Sequence, residues 1–227
     1  MSDAPTTTAT EDAAPELPPD PVREGLVEQL TSQFKDAIVE THIARGDLWV
    51  RVANDHWHDV VAFCKTTLNL RFFDFLSGLD WLNNPNLSGE KTWDAEAAKD
   101  APTLTTPGYT GGDTRFQVLC RLTNVETNVG ITLKVDLNSD NPSVKSITDV
   151  FGGADWHERE AWEMFGFVFE GHPGLRHLYL PGAFEGHPLR KDFPLLAREI
   201  KPWPGLVDKE PMPGEAADGD EEGSASE

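Results

Sequence analysis

The order of periodicities along the chain predicts an α+β fold: a single mixed, mostly antiparallel sheet with helices on one face, followed by an extended C-terminal arm. Three observations carry this. Between residues 22 and 153 the apolar pattern switches between helical spacing and strict alternation in the order α-β-β-α-β-β-β-α. From 154 to 207 no single period holds, and Pro173, Pro181, Pro188 and Pro194 punctuate a run of charged, aromatic and His residues. Both ends, 1–21 and 208–227, are acidic with little to bury, which predicts disordered tails.

A helix is expected from Val22 to about Ala37, after Pro21, because Leu26, Val27, Leu30 and Phe34 recur on one face. Residues 38–45 and 48–53 read as a strand pair around a turn at Gly46-Asp47. A second helix starts near Asn54 or Asp55, with Trp57, Val60, Val61, Cys64 and Leu68 in one stripe. Arg71–Trp81 carries apolar residues on both faces, which predicts a strand at the centre of the sheet.

Residues 82–114 lose periodicity and read as a surface insertion. Within it Gly89-Glu90-Lys91-Thr92 is a poor phosphate loop, because Glu90 intervenes and no strand leads directly into it. Alternation returns at Phe116, Val118, Cys120 and Leu122, and again at Ile131, Leu133, Val135 and Leu137. The connection through Asn124, Asn128 and Gly130 makes these an antiparallel hairpin. A short helix is expected from Asn141-Pro142 to about Phe151, released by Gly152-Gly153.

The next helix should run from Asp155, as N-cap with Glu158 three residues on as its capping-box partner, to Phe165, with Gly166 as the stop. A helix this short depends on tertiary packing. Beyond it the chain repeats itself: Phe169-Glu170-Gly171-His172-Pro173 recurs as Phe184-Glu185-Gly186-His187-Pro188. Each proline fixes φ and pushes its predecessor toward extended backbone, so the segment is expected to be a stiff ribbon that packs on other surfaces.

A net charge of −20 argues against nucleic-acid phosphates and anionic lipids as partners. The arm departs from that average. Arg176, Arg190, Lys191, Arg198 and Lys201 stand there against Glu185, Asp192 and Glu199, so the basic ribbon implies an acidic partner. The two cysteines, Cys64 and Cys120, lie on apolar faces in no CxxC arrangement; they are expected to be buried free thiols and cannot supply four thiolates to an iron–sulfur cluster. The sequence holds no apolar run long enough to span a bilayer, so membrane association is expected only through partners.

The charged groups of the arm invite chemistry, but their spacing does not support it. After His157-Glu158 comes Ala161 where an HExxH motif needs its second His, and His172 and His187 each precede proline on extended chain. His56 and His58 point apart on their helix. No GxSxG is present. For Glu158, Arg159 and Glu160 two readings stand: a solvated helix face, with Arg159 and Glu163 as an exposed i,i+4 pair, or buried charges that require partners. The dense aromatic surroundings favour the second.

The string Glu158-Arg159-Glu160, Trp162-Glu163, Met164-Phe165-Gly166, Gly171-His172-Pro173, Leu175-Arg176 and Gly186-His187-Pro188-Leu189-Arg190-Lys191-Asp192-Phe193-Pro194-Leu195 resembles the 30 kDa, or C, subunit of respiratory complex I. One departure is His177, where that family would carry a second Arg beside Arg176. The resemblance implies a compact α+β domain with an arm laid over neighbouring subunits. It also implies a non-catalytic, structural and assembly role in the peripheral arm of a proton-translocating NADH:quinone oxidoreductase, on the cytoplasmic side of a bacterial membrane. FMN and iron–sulfur clusters would lie in partner subunits, and the arm would meet the 49 kDa (D) subunit and the cluster-bearing subunits. The residues expected to pin the arm to itself and to partners are Glu158, Arg159, Glu160, His172, Arg176, His187, Arg190, Lys191 and Asp192. A homologous subunit of a membrane-bound hydrogenase or of a dehydrogenase with another donor is the nearer alternative. The remoter one is a stand-alone metal-dependent enzyme using His157, His172, His177 and His187.

Overall fold

The computed structural model describes residues 19–83, 104–105 and 107–194. Most of both predicted tails, the middle of the 82–114 insertion with its Gly89–Thr92 stretch, and the arm beyond 194 lie outside the described residues.

Helix α1 (Pro21–Phe34) begins where the Asp20 carboxylate accepts the Arg23 backbone N–H at 3.1 Å, with proline in the first turn. A 3₁₀ turn at Lys35–Ala37 replaces the last turn expected of it. Strands β1 (Ile38–Ala44) and β2 (Asp47–Val52) then form a hairpin. Its turn residues are Arg45 and Gly46, at φ 52° and 75°, rather than Gly46 and Asp47. Two left-handed residues give the turn whose twist matches paired strands. Asp47 thereby opens β2, where its carboxylate meets the Arg121 guanidinium.

Helix α2 (Trp57–Thr66) buries Trp57, Val60, Val61 and Cys64 completely. Strands β3 (Phe72–Asp80), β4 (Phe116–Asn124) and β5 (Val129–Leu137) complete a five-stranded sheet of order β1-β2-β5-β4-β3. The β2–β5 pair is parallel and the others antiparallel, so the sheet is mixed. Register places Val50, Leu133, Cys120 and Leu76 in one cross-strand row and Val52, Val135 and Val118 in the next. Helices α1, α2 and α3 (Ala154–Phe165) seal that apolar face into one core.

The other face is polar at its centre and is covered by the returning end of the insertion. Buried Lys134 donates to the carbonyls of Tyr109 and Gly111, both at 2.9 Å, while Tyr109 stacks on His42. A cation so enclosed by carbonyls pins the segment to the sheet.

Two expectations are corrected. Strand β3 lies at the edge of the sheet, not its centre. Its apolar residues on both faces have another cause: Leu76 packs inward, whereas Phe72 and Phe75 stay exposed, and a bulge between Phe73 and Phe75 shifts the alternation. At Gly78 an added methyl would stand 2.6 Å from the Phe167 ring and 2.7 Å from that of Phe165, so the missing side chain is what lets α3 close on this strand. The second correction concerns 141–151, which is not helical. Ser143–Lys145 forms β6, paired in parallel with β7 (Val168–Glu170), and Val144 lies opposite Phe169 with both buried. Pairing with a strand beyond α3 overrides local helical preference there.

Candidate functional site

The charged helix α3 is where the predicted residues gather. No side chain caps its N-terminus, and the expected box between Asp155 and Glu158 does not form, because Glu158 turns into the core. Its carboxylate, fully buried, accepts the Ile147 backbone N–H at 2.7 Å and the Ser146 hydroxyl at 2.6 Å. Neutral donors, not a cation, answer this group. Burial pushes its carboxyl up to about 7, against the opposing pull of those two hydrogen bonds.

Arg159 and Glu163 stand four residues apart yet do not pair with each other; both are buried and both reach the arm. Arg159 Nε donates to the Arg176 carbonyl at 3.1 Å and Nη2 to that of His177 at 3.2 Å, with the Asp155 carboxylate 3.7 Å away. The Glu163 carboxylate accepts the backbone N–H groups of Leu178 at 2.8 Å, Leu180 at 2.7 Å and Tyr179 at 3.2 Å, and meets His177 Nδ1 at 3.0 Å. Burial alone would raise Glu163, but the three amides and the imidazole hold it below the ordinary carboxylate range. Adjacent turns of one helix thus offer a donor and an acceptor to successive peptide groups of the arm.

The pentapeptide repeat works as two clamps on the same helix. His172 Nδ1 accepts the Gly174 N–H at 3.0 Å, which leaves Nε2 to donate to the Asp155 carbonyl at 3.3 Å and its carboxylate at 3.1 Å, in the first turn. His187 Nδ1 donates to the Glu163 carbonyl at 2.9 Å, in the last turn. Gly171 and Gly186, at φ 84° and 95°, make the left-handed bends that present each His-Pro pair. The C-terminal carbonyls of α3 are completed by Leu189 N–H on Met164 at 3.1 Å and Arg190 Nε on Phe165 at 2.5 Å.

The arm then reaches the sheet edge. Arg115 forms a two-point pair with Asp80 at 2.9 and 2.8 Å and meets Asp192 at 2.9 Å, while the Lys191 backbone N–H donates to Asp80 at 2.8 Å. The Asp80 hydrogen bonds, above all, keep Arg115 raised beyond its ordinary value.

Several predicted residues take other roles. Arg176 joins the network through its carbonyl, and Lys191 through its amide. The Arg176 guanidinium, the Lys191 ammonium and the half-buried Glu160 carboxylate have no hydrogen bond or ion pair among the described residues. His157, His172, His177 and His187 do not converge: they bond Leu76, Asp155, Glu163 and the Glu163 carbonyl respectively, and no three metal-binding side chains gather among the described residues. Sequence reasoning missed Asp80 and Arg115, saw Asp155 only as a helix cap, and expected for Glu163 a charged partner, in the plainer reading Arg159 on the surface, rather than the amides of the arm. An acid ending one strand and a base opening the next, Asp80 and Arg115, is the signal that was there; the insertion between them hid it.

The fold and site together define an α+β domain whose charged helix is strapped down by the chain that follows it. The chain belongs to the respiratory-chain NADH dehydrogenase 30 Kd subunit family, whose model matches residues 50–199. It is 37% identical over 175 residues to the C subunit of NADH-quinone oxidoreductase from Roseiflexus sp. (strain RS-1), covering 77% of this chain and 86% of that one. It is also 46% identical over 101 residues to the C/D subunit of NADH-quinone oxidoreductase from Photorhabdus laumondii, a match covering 44% of this chain and 17% of that longer protein. Among solved structures, a trypsin-resistant fragment of Nqo5 superposes with a TM-score of 0.50 at 23% identity, over 68% of this chain and 99% of the fragment. A chain of the membrane-bound sulfane sulfur reductase, an archaeal respiratory membrane complex, superposes at 0.57 and 21% identity, over 77% of this chain and 86% of its own. These two likenesses are of fold. No helix among the described residues is long and apolar enough to cross a membrane.

Proposed function

We propose that this chain is a non-catalytic brace in the peripheral arm of a proton-translocating NADH:quinone oxidoreductase, seated on the cytoplasmic side of a bacterial membrane. The observation that carries the reading is where α3 directs its buried charges. Arg159 and Glu163 bond backbone groups of 176–180, while the side chains of Glu160, Arg176 and Lys191 have no hydrogen bond or ion pair among the described residues and are open to neighbours. FMN and the iron–sulfur clusters belong, in this reading, to other subunits, since Cys64 and Cys120 are sealed in the core. The mechanism is placement: electron transfer depends on fixed cofactor spacing, and a stiff arm holds it without meeting the redox atoms. The joined C/D relatives support the D subunit as the partner met by the arm.

A mild-detergent pull-down of the tagged chain from native membranes tests this, with mass spectrometry of partners and an NADH:quinone assay on the eluate. Copurified flavin and iron–sulfur subunits with inhibitor-sensitive activity are expected. A second reading, a brace in a respiratory membrane complex with another electron donor, is favoured by the sulfane sulfur reductase likeness. Copurified membrane subunits without NADH oxidation would select it. Recovery of a lone, metal-loaded protein would overturn both.

A further inference from the structure

The Arg190 cation in the arm is fixed in place with no carboxylate in ion-pair contact among the described residues. Arg190 is held by its Nε–H on the Phe165 carbonyl at 2.5 Å and by the Phe116 ring 5.0 Å beneath its guanidinium. Its two terminal nitrogens make no hydrogen bond or ion pair among the described residues. The nearby carboxylates of Asp80 and Asp192 are both engaged by Arg115. Burial first, and the neighbouring Arg115 guanidinium second, hold Arg190 below its ordinary pKa. A partly buried cation that Asp192 and Asp80 attract only from beyond ion-pair distance is unfavourable, and on a chain of net charge −20 it stands out.

The surroundings favour an incoming anion. Arg190 and His187 lie where Gly166 has no side chain: a methyl there would stand 2.7 Å from Arg190 Nη2 and 2.5 Å from His187 Nε2. The next residue, Lys191, is exposed with its ammonium unpartnered.

Building on the proposed function, we infer that the Arg190 guanidinium, with Lys191 next to it in the chain, receives an Asp or Glu side chain of a partner subunit as the complex assembles. A protein carboxylate suits the site better than a lipid phosphate. The planar fork, immobilised at its stem, matches a carboxylate in two-point geometry, and the acidic chain as a whole repels an anionic bilayer.

The test is arginine footprinting with phenylglyoxal, run on the purified full chain and on the detergent-purified complex whose subunits are established by mass spectrometry in the same sample. The complex is also treated with a carbodiimide, which joins an amine to a carboxylate in contact. Arg190 is expected to react in the free chain and several-fold more slowly in the complex, with Arg115 protected in both. Lys191 is expected to be joined to an Asp or Glu of another subunit. Equal Arg190 reactivity in both samples, protection already present in the free chain, or Lys191 joined only within this chain would overturn the inference while leaving the bracing role standing. Protection that disappears on phospholipase treatment would assign the anion to lipid and overturn it as well. Purification of the chain without any partner would overturn both readings together.

Discussion

Glu163 Oε1 accepts the Leu180 backbone N–H at 2.7 Å, so a side chain on the last full turn of α3 completes a peptide group 17 residues further on. With Leu178 and Tyr179 on the same carboxylate, the arm has one dominant anchor. Glu163→Ala would leave several amides without an acceptor, at a cost on the order of 3 kcal/mol. Faster proteolytic cleavage between 171 and 194, with a lowered melting temperature, is the expected result. The same anchor sets an acid limit. Because the folded carboxyl is held below the ordinary range, its contribution is present above the unfolded pKa near 4.5 and is lost as pH falls through the folded one.

Glu158 carries the opposite sign. Its folded pKa, about 7, lies above the ordinary value of 4.5, so the folded chain binds the extra proton between those limits. Its contribution is complete below about pH 4.5 and declines as pH rises to about 7, a span on the order of 3 kcal/mol. In Glu158→Gln this slope is expected to vanish, and stability at pH 8 to match or exceed that of the parent. Chemical denaturation across pH 5–8 measures both.

Gly78 and the Phe165–Phe167 pair make a tighter test of packing. Gly78→Ala places a methyl where two rings already lie, and the edge strand cannot retreat from β4 without losing its ladder. Overpacking of this kind costs about 1–3 kcal/mol, read as a lower melting temperature of the full chain.

Arg159 and Arg176 separate folding from assembly. Arg159→Ala removes donors from two carbonyls under the arm and is expected to lower both thermal stability and yield of complex. Arg176→Ala removes a guanidinium with no partner among the described residues. Its stability should stay within the range of ordinary surface changes, about 0.5 kcal/mol, while recovery of partner subunits falls. Normal recovery with Arg176→Ala would count against Arg176 as an interface residue.

The parts of the fold that were legible in the sequence are those where one face meets core and the other meets water or polar cover. The stripe of α2 and the alternation of β4 and β5 are of this kind. Strand β3 misled because its outward phenylalanines are exposed rather than packed, and β6 because its partner follows α3. At the site, the crowding of charge among aromatics correctly signalled burial of Glu158 and Arg159 but not of Glu160, which is only half-buried. Their partners were not legible, since backbone amides and carbonyls carry no residue identity. The pairing of buried charge with buried charge is the intuitive choice, yet peptide groups of the arm serve for Arg159 and Glu163.

That choice sets an order on synthesis. Helix α3 emerges from the ribosome before residues 176–180 do, so Arg159 and Glu163 emerge with nothing to bond, and β6 waits for β7. A chain interrupted before Leu180 carries a helix whose buried Glu163 lacks amides it would bond in the arm, and is expected to be exposed to proteases rather than stored as a stable half-product. Only a chain translated through residue 180 satisfies the buried charges of α3, so the strap also acts as a check on completeness.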